Sequence, residues 1–271
     1  METSLKEYLN SKPNAKTCII DNNFLEFCTK LKNKDISIIS LLMQYDVIII
    51  PFWVNVEIND STSRPAYLQE LRENGINVYI IDETEYIALA NDEELNILNI
   101  TMYSALRFGK IGSFMRKSII QNQPCEDIDY EFTEWINILY NNWPMSGNEV
   151  GPIDNRRIQK KNAGEISISI LAHILSYYFP KLKSITLLTF DKDCYNCIYD
   201  AQDKFNKDGN FKNRDYASIT FKSNDLILYE LVNNKHYTID YIKGIIDIIF
   251  LVFICKWYSN PFIVFFKNSF P

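Results

Sequence analysis

Three times in this chain a short apolar run closes on a carboxylate with a helical pattern directly behind it, and few architectures tolerate that alternation. Thr17-Cys-Ile-Ile-Asp21 leads into Asn22-Asn23-Phe24-Leu25-Glu26-Phe27, and Asn77-Val-Tyr-Ile-Ile-Asp82 leads into Glu83 to Leu106. Ser184-Ile-Thr-Leu-Leu-Thr-Phe-Asp-Lys-Asp193 leads into a helix from about Lys192 to Phe205. A further run, Asp46-Val-Ile-Ile-Ile-Pro51, is stopped by a proline that cannot donate to a ladder, and Phe52 to Asp60 follows with helical spacing around Glu57. Tyr216-Ala-Ser-Ile-Thr-Phe221 makes a fifth strand, and Ser223 is the N-cap of the next helix. Strands alternating with helices require a mostly parallel central sheet covered on both faces.

Between these units the pattern loosens. From Arg107 to Lys161 the periodicity weakens and the composition turns polar, as expected of an insertion or cap, with a helical piece from about Asp129 to Trp143 and a turn-rich link from Pro144 to Asp154. A break near Asn91-Asp92 is expected inside the Glu83 to Leu106 segment. Regular structure resumes at Asn162-Ala-Gly-Glu165, where Ile166, Ile168, Ile170, Leu171, Ile174 and Leu175 predict a largely buried helix. The expected organisation is a domain over 1–235 carrying an insertion at about 107–161, then an apolar helical extension over 236–271 packed on the domain or on a partner. Within that extension, Ile245 to Phe266 is interrupted by Asp247 and Lys256. The run from Ile248 to Cys255 falls short of the roughly 20 apolar residues that span a bilayer, so no membrane association is expected.

With 47% hydrophobic residues in 271 the chain can bury a sizeable core, which excludes global disorder. Lys and Arg number 28 against 34 Asp and Glu, a net charge of −6, so a polyanionic partner must be held by local patches. The opening Met-Glu-Thr-Ser-Leu-Lys-Glu-Tyr-Leu lacks the apolar core of a secretory signal, and a cytoplasmic setting is expected. Cys18, Cys28, Cys125, Cys194, Cys197 and Cys255 are then expected as free thiols. Cys194 and Cys197 have zinc spacing without a second pair, and read as buried thiols.

The acids at strand ends and helix starts are Asp21, Glu57, Glu165, Asp191 and Asp193. On a parallel sheet Asp21 and Asp191 share the carboxyl edge, where ligands bind, and helices leaving that edge can bring Glu57 and Glu165 beside them. Several carboxylates in one pocket stay ionised only with compensating cations. Mg²⁺ or Mn²⁺ would satisfy them through oxygen and would activate water for in-line attack on a phosphodiester. Taken singly, each acid reads as a cap or a solvated loop charge, and Asp82 reads as either a cap or a border of the site.

In their order these segments resemble the PIN-domain nucleases: Cys18-Ile-Ile-Asp-Asn-Asn-Phe-Leu25, Val56-Glu57, Ala163-Gly-Glu-Ile-Ser-Ile-Ser-Ile170 and Leu187-Leu-Thr-Phe-Asp-Lys-Asp193. The resemblance runs from about Thr17 to Val232 with the insertion outside it. It implies a three-layer α/β/α sandwich on a central, mostly parallel sheet of about five strands, and a divalent-metal-dependent endoribonuclease acting on single-stranded RNA, with DNA left open. By position Asp21, Glu57, Glu165 and Asp191 would be the metal-binding catalytic carboxylates and Asp193 an accessory one. Asn23 would orient Asp21, and Thr189 would steady the last turn. By analogy such a nuclease fits a toxin or defence effector of a toxin-antitoxin kind, held by an inhibitory protein partner or as a homo-oligomer.

Two basic segments are candidate RNA contacts: Arg107, Lys110, Arg116 and Lys117, interleaved with Phe108 and Phe114, and Arg156, Arg157, Lys160 and Lys161 ahead of Glu165. Both also read as solvated surfaces. His173 and His236 stand far apart with no nucleophile arranged around them, and no phosphate-cradling glycine loop is present. Three other readings stay open. Asp191-Lys-Asp193 resembles the nucleophile motif of haloacid-dehalogenase phosphatases, and Glu165 followed by that motif resembles the topoisomerase-primase domain. From another class, the chain could be a non-catalytic scaffold that binds RNA or protein.

Overall fold

The central strands are apolar on both faces because helices cover both faces. In the computed structural model, which describes residues 3–121, 132–150, 157–234 and 236–242, the chain builds a five-stranded, all-parallel sheet within a three-layer α/β/α sandwich. In chain order the elements are α1 (Leu5–Ser11), β1 (Lys16–Ile20), α2 (Asn22–Lys32), α3 (Ile39–Leu42), β2 (Val47–Pro51), α4 (Phe52–Ile58), α5 (Ser63–Glu73) and β3 (Val78–Ile81). A 3-10 turn (Glu83–Glu85) precedes α6 (Tyr86–Leu89), α7 (Glu94–Ser104), α8 (Gly109–Gln121) and α9 (Phe132–Asn141). Then come β4 (Ser146–Val150), β5 (Arg157–Lys160), α10 (Ala163–Tyr178), β6 (Ser184–Leu188), α11 (Lys192–Phe205), β7 (Ile219–Lys222) and α12 (Asn224–Asn233).

The strand order is β3-β2-β1-β6-β7. The chain steps outward from β1 through β2 to β3, then returns to β6 on the other side of β1. That reversal opens a crevice at the carboxyl ends of β1 and β6, where an open parallel sheet holds its ligand. Register sets Ile20 opposite Leu188, so Asp21 and Thr189 leave the sheet side by side. All of β2 and all but the first residue of β1 and β6 are buried, whereas the edge strands β3 and β7 are partly exposed. Helix α10 is buried almost all round, packing against α4, α7 and α11, which matches its apolar sequence.

Some elements differ from the sequence expectation. β7 starts at Ile219, because the Ser176 hydroxyl donates to the Ala217 carbonyl at 2.7 Å and the Ala217 amide donates to the Ser176 carbonyl at 2.9 Å. Those bonds tie the residues before the strand to α10. The expected turn-rich link holds a strand instead: β4 pairs antiparallel with β5. Its Ser-Gly-Asn-Glu-Val sequence is exposed except for Val150, so pairing, and not an apolar face, defines it. The break at Asn91-Asp92 is present, both residues taking positive φ (54° and 62°).

The chain divides into two units, Met1–Asn224 and Asp225–Pro271. In the second, the His236 amide donates to the Leu231 carbonyl at 3.0 Å and the rings of Tyr237 and Tyr241 stack with centroids 5.7 Å apart. Arg156, Cys125, Cys255 and the apolar segment Ile245 to Phe266 lie outside the described residues. Among the described residues no helix is long and apolar enough to cross a membrane. Cys18, Cys28, Cys194 and Cys197 are buried free thiols.

Candidate functional site

Asp21 follows β1 at the N-cap position of α2, yet its side chain caps nothing. It is 7% exposed, and its amide continues the ladder by donating to the Leu188 carbonyl at 3.0 Å. The Thr189 hydroxyl donates to Asp21 Oδ2 at 2.8 Å and accepts from the Asp191 amide at 3.0 Å. Asp191 in turn caps α11, its Oδ1 accepting from the Asp193 amide at 2.7 Å. One hydroxyl thus links the acids at the ends of two adjacent strands. Asn23 Nδ2 lies 3.5 Å from Asp21 Oδ2, at the outer limit of a hydrogen bond.

Two helices supply the other acids. Glu57 lies in α4 against the start of α10, where a Cβ on Gly164 would come within 2.9 Å of Glu57 Oε1. Glycine at 164 lets this carboxylate approach the helix backbone. Glu165 lies in the first turn of α10.

Their proton affinities report the crowding. Burial pushes the Asp21 carboxyl up to about 6 against the pull of Thr189, with the Asp191 charge adding to the rise. Burial, then the charges of Asp21 and Glu165, push Glu57 up to about 8. Burial, then the charges of Asp191, Asp21 and Asp193, push Glu165 up to about 7. For each of the three, burial is the main cause and a neighbouring carboxylate charge adds to it, as expected of acids brought near one another. Asp193 is exposed, and Arg107 stands 3.9 Å from its Oδ1.

Asp82 has the same strand-end setting as Asp21 but spends its carboxylate locally. Its Oδ1 accepts from the Thr84 amide at 2.9 Å and the Thr84 hydroxyl at 2.8 Å, inside a capping box with Glu85. Its charge acts on Glu83. His173 is fully buried, its Nδ1–H donating to the Ser169 carbonyl at 2.8 Å, and burial lowers its pKa to about 4. It takes no part in the site.

Two neighbours were not legible from sequence. The Gln159 amide of β5 donates to Glu57 Oε1, bringing the β4–β5 hairpin to the edge of the acids. Arg64 of α5 donates to Asn22 Oδ1 at 2.5 Å and draws the Glu57 pKa down from a distance. A polar residue in an unrecognised hairpin and an arginine at a helix start carry no sequence signal of their own.

Among the described basic candidates, Arg107 is ion-paired beside the acids, lying 3.9 Å from both Asp193 and Asp200. Lys110, Arg116 and Lys117 are exposed on α8, Lys160 is half-buried and Lys161 exposed, with the Lys161 carbonyl accepting from Trp143 Nε1 at 3.1 Å. Arg157 opens β5.

Asp21, Glu57, Glu165 and Asp191 offer only oxygen donors, the set preferred by hard divalent cations. Among the described residues none of these four is in a salt bridge with a lysine or arginine. Nor are three or more His, Cys, Asp and Glu groups there already gathered closely enough to hold a metal ion. The donors fit such an ion in chemistry, and side-chain adjustment would be needed to close them around it. Comparison of the chain with protein-family models, with curated proteins and with solved structures found no match.

Proposed function

We propose that the chain is a divalent-metal-dependent nuclease of the PIN-like type, hydrolysing phosphodiester bonds with single-stranded RNA as the first substrate to test. The supporting observation is the link from Asp21 through Thr189 to Asp191 across the strand reversal, with Glu57 and Glu165 in electrostatic contact with it. Asp21, Glu57, Glu165 and Asp191 would hold Mg²⁺ or Mn²⁺, with Asp193 at the rim. When bound, such an ion supplies Lewis-acid polarisation of a phosphoryl oxygen and lowers the pKa of water for in-line attack.

The chain's own contribution is placement. Thr189 fixes one oxygen of Asp21 and the backbone of Asp191, leaving Asp21 Oδ1 uncommitted to Thr189. Gly164 admits Glu57 to the crevice. Protons and a divalent cation compete for the same carboxylate oxygens, so the raised pKa values describe groups that a cation would deprotonate.

The test uses purified protein with labelled single-stranded RNA and DNA, Mg²⁺ or Mn²⁺ against chelator, and Asp21→Asn and Asp191→Asn as controls. Cleavage is expected only with metal and is lost in both variants. Cleavage that persists in chelator, or in both variants, rejects the reading.

A further inference from the structure

Beside the carboxylates the structure carries an aromatic strip that the sequence did not single out. The ring of Tyr195 meets Phe221 edge-on, with centroids 4.9 Å apart, and lies within 17° of parallel to Tyr199, with centroids 6.4 Å apart. Tyr195 and Tyr199 are four residues apart on α11, one above the other on the helix surface. Tyr199 is 65% exposed, so the strip ends on a large ring open to solvent.

Its position ties it to the site. Phe221 pairs in register with Leu187, at the carboxyl end of β7, and the Tyr195 amide donates to the Asp191 carbonyl at 3.3 Å. The strip therefore starts one helical turn from Asp191, at the sheet edge that carries Asp21. Lys192 is exposed at the start of α11, three residues before Tyr195 on the same side of the helix. The acids of α11 are engaged elsewhere: Asp193 and Asp200 each lie 3.9 Å from Arg107, and Asp203 pairs with Lys207 at 2.7 Å.

We propose that Phe221, Tyr195 and Tyr199, with Lys192 at the start of the same helix, are a platform on which unpaired bases of a single-stranded nucleic acid stack as its backbone runs toward the carboxylates. The inference rests on the nuclease reading for its direction. Aromatic faces beside cations fit this partner because every base offers a π-face and every linkage a charge. A duplex buries those faces in its own stack and gains nothing from the strip.

The test measures binding without turnover, using full-length Asp21→Asn protein in chelator and labelled RNA of one sequence as single strand and as duplex. The single strand is expected to bind more tightly. Tyr199→Ala and Tyr195→Leu should each weaken it roughly 5- to 150-fold, the range for loss of one stacked base. The salt dependence stays unchanged in both, because no charge is removed. Tyr199→Phe retains affinity, and Lys192→Ala flattens the salt slope.

Tyr199 is exposed enough that its truncation leaves the fold intact, as circular dichroism would confirm. Equal binding of duplex and single strand, or full affinity in Tyr199→Ala, overturns the platform. So does a Tyr199-dependent dimer in sedimentation without RNA binding, which would assign the strip to a protein contact. Tyrosine-dependent binding with no cleavage in Mg²⁺ or Mn²⁺ rejects the nuclease and keeps the platform. Cleavage with unchanged KM in Tyr199→Ala does the reverse.

Discussion

The Thr189 hydroxyl donates to Asp21 Oδ2 at 2.8 Å across 168 residues of sequence, and the same oxygen accepts the amide of Asp191. This side chain couples the ends of β1 and β6 and leaves Asp21, at 7% exposure, with a fixed donor. A buried carboxylate without such a donor would pay the desolvation cost in full.

Thr189→Val keeps the shape and removes both bonds. The expected cost is about 1.5–3 kcal/mol at pH 8, the range for a hydrogen bond to a charged group. Chemical denaturation of Thr189→Val beside Thr189→Ser, which keeps the hydroxyl, checks it. Equal midpoints for the two would mean that the hydroxyl is dispensable.

The crowded acids predict a metal-dependent pH profile of stability. Asp21, Glu165 and Glu57 have folded pKa values raised to about 6, 7 and 8, above their ordinary values of 3.8, 4.5 and 4.5. The folded state therefore binds more protons than the unfolded chain between those limits. Stability is full below the unfolded values and falls as pH rises through the folded ones. Thermal unfolding in chelator should show Tm falling from pH 5 to pH 8, and Mn²⁺ should raise Tm more at pH 8 than at pH 5.5. A Mn²⁺ effect that is equal at the two pH values would remove these acids from the metal site.

What the sequence disclosed and what it withheld follow from the range of each interaction. Asp21 and Asp191 were legible because a strand, an acid and a helix are consecutive in the chain, and parallel pairing places all such ends on one edge. That Glu57 reaches Glu165 was only an expectation, since it depends on α4 packing against α10 and on Gly164 leaving room. Gln159 was invisible because β4 offers no apolar alternation, and Gly147 admits β5 only by lacking a Cβ, which would fall 2.6 Å from the Gln159 carbonyl oxygen. Helix α8 was hidden by its glycines and polar residues, although Gly112 belongs there: its Cβ would lie 3.0 Å from the Ala105 carbonyl oxygen.

Gly164→Ala separates the fold from the site. Alanine gains about 1 kcal/mol of helix propensity over glycine, and its Cβ would meet Glu57 Oε1 at 2.9 Å, the movable end of a side chain. Unfolding free energy is expected to change by less than about 1 kcal/mol, while Mn²⁺ affinity drops as Glu57 is displaced. Isothermal titration of the variant measures this. Unchanged Mn²⁺ affinity would place Glu57 outside the metal-binding set.

Glu83 is a buried acid with a structural task, raised by burial as the crevice acids are but held by two hydroxyls. At 3% exposure its Oε1 accepts from the Ser167 hydroxyl at 2.7 Å and the Tyr140 hydroxyl at 3.1 Å, while the Tyr140 ring packs on Trp53 and stacks on Trp143. The carboxylate thereby fastens α9 to α10. Burial pushes its pKa from 4.5 up to about 7, against the pull of Ser167. The neutral acid is thus the form the fold favours, and its contribution is full below pH 4.5 and lost as pH rises to about 7. Glu83→Gln keeps an acceptor and cannot ionise, so its stability relative to the parent should rise from pH 5 to pH 8. Glu83→Ala orphans two hydroxyls, at about 1–3 kcal/mol each, at both pH values. Urea midpoints of the three proteins at the two pH values decide the matter. A Glu83→Gln difference that does not change with pH would mean that Glu83 does not titrate between pH 5 and pH 8.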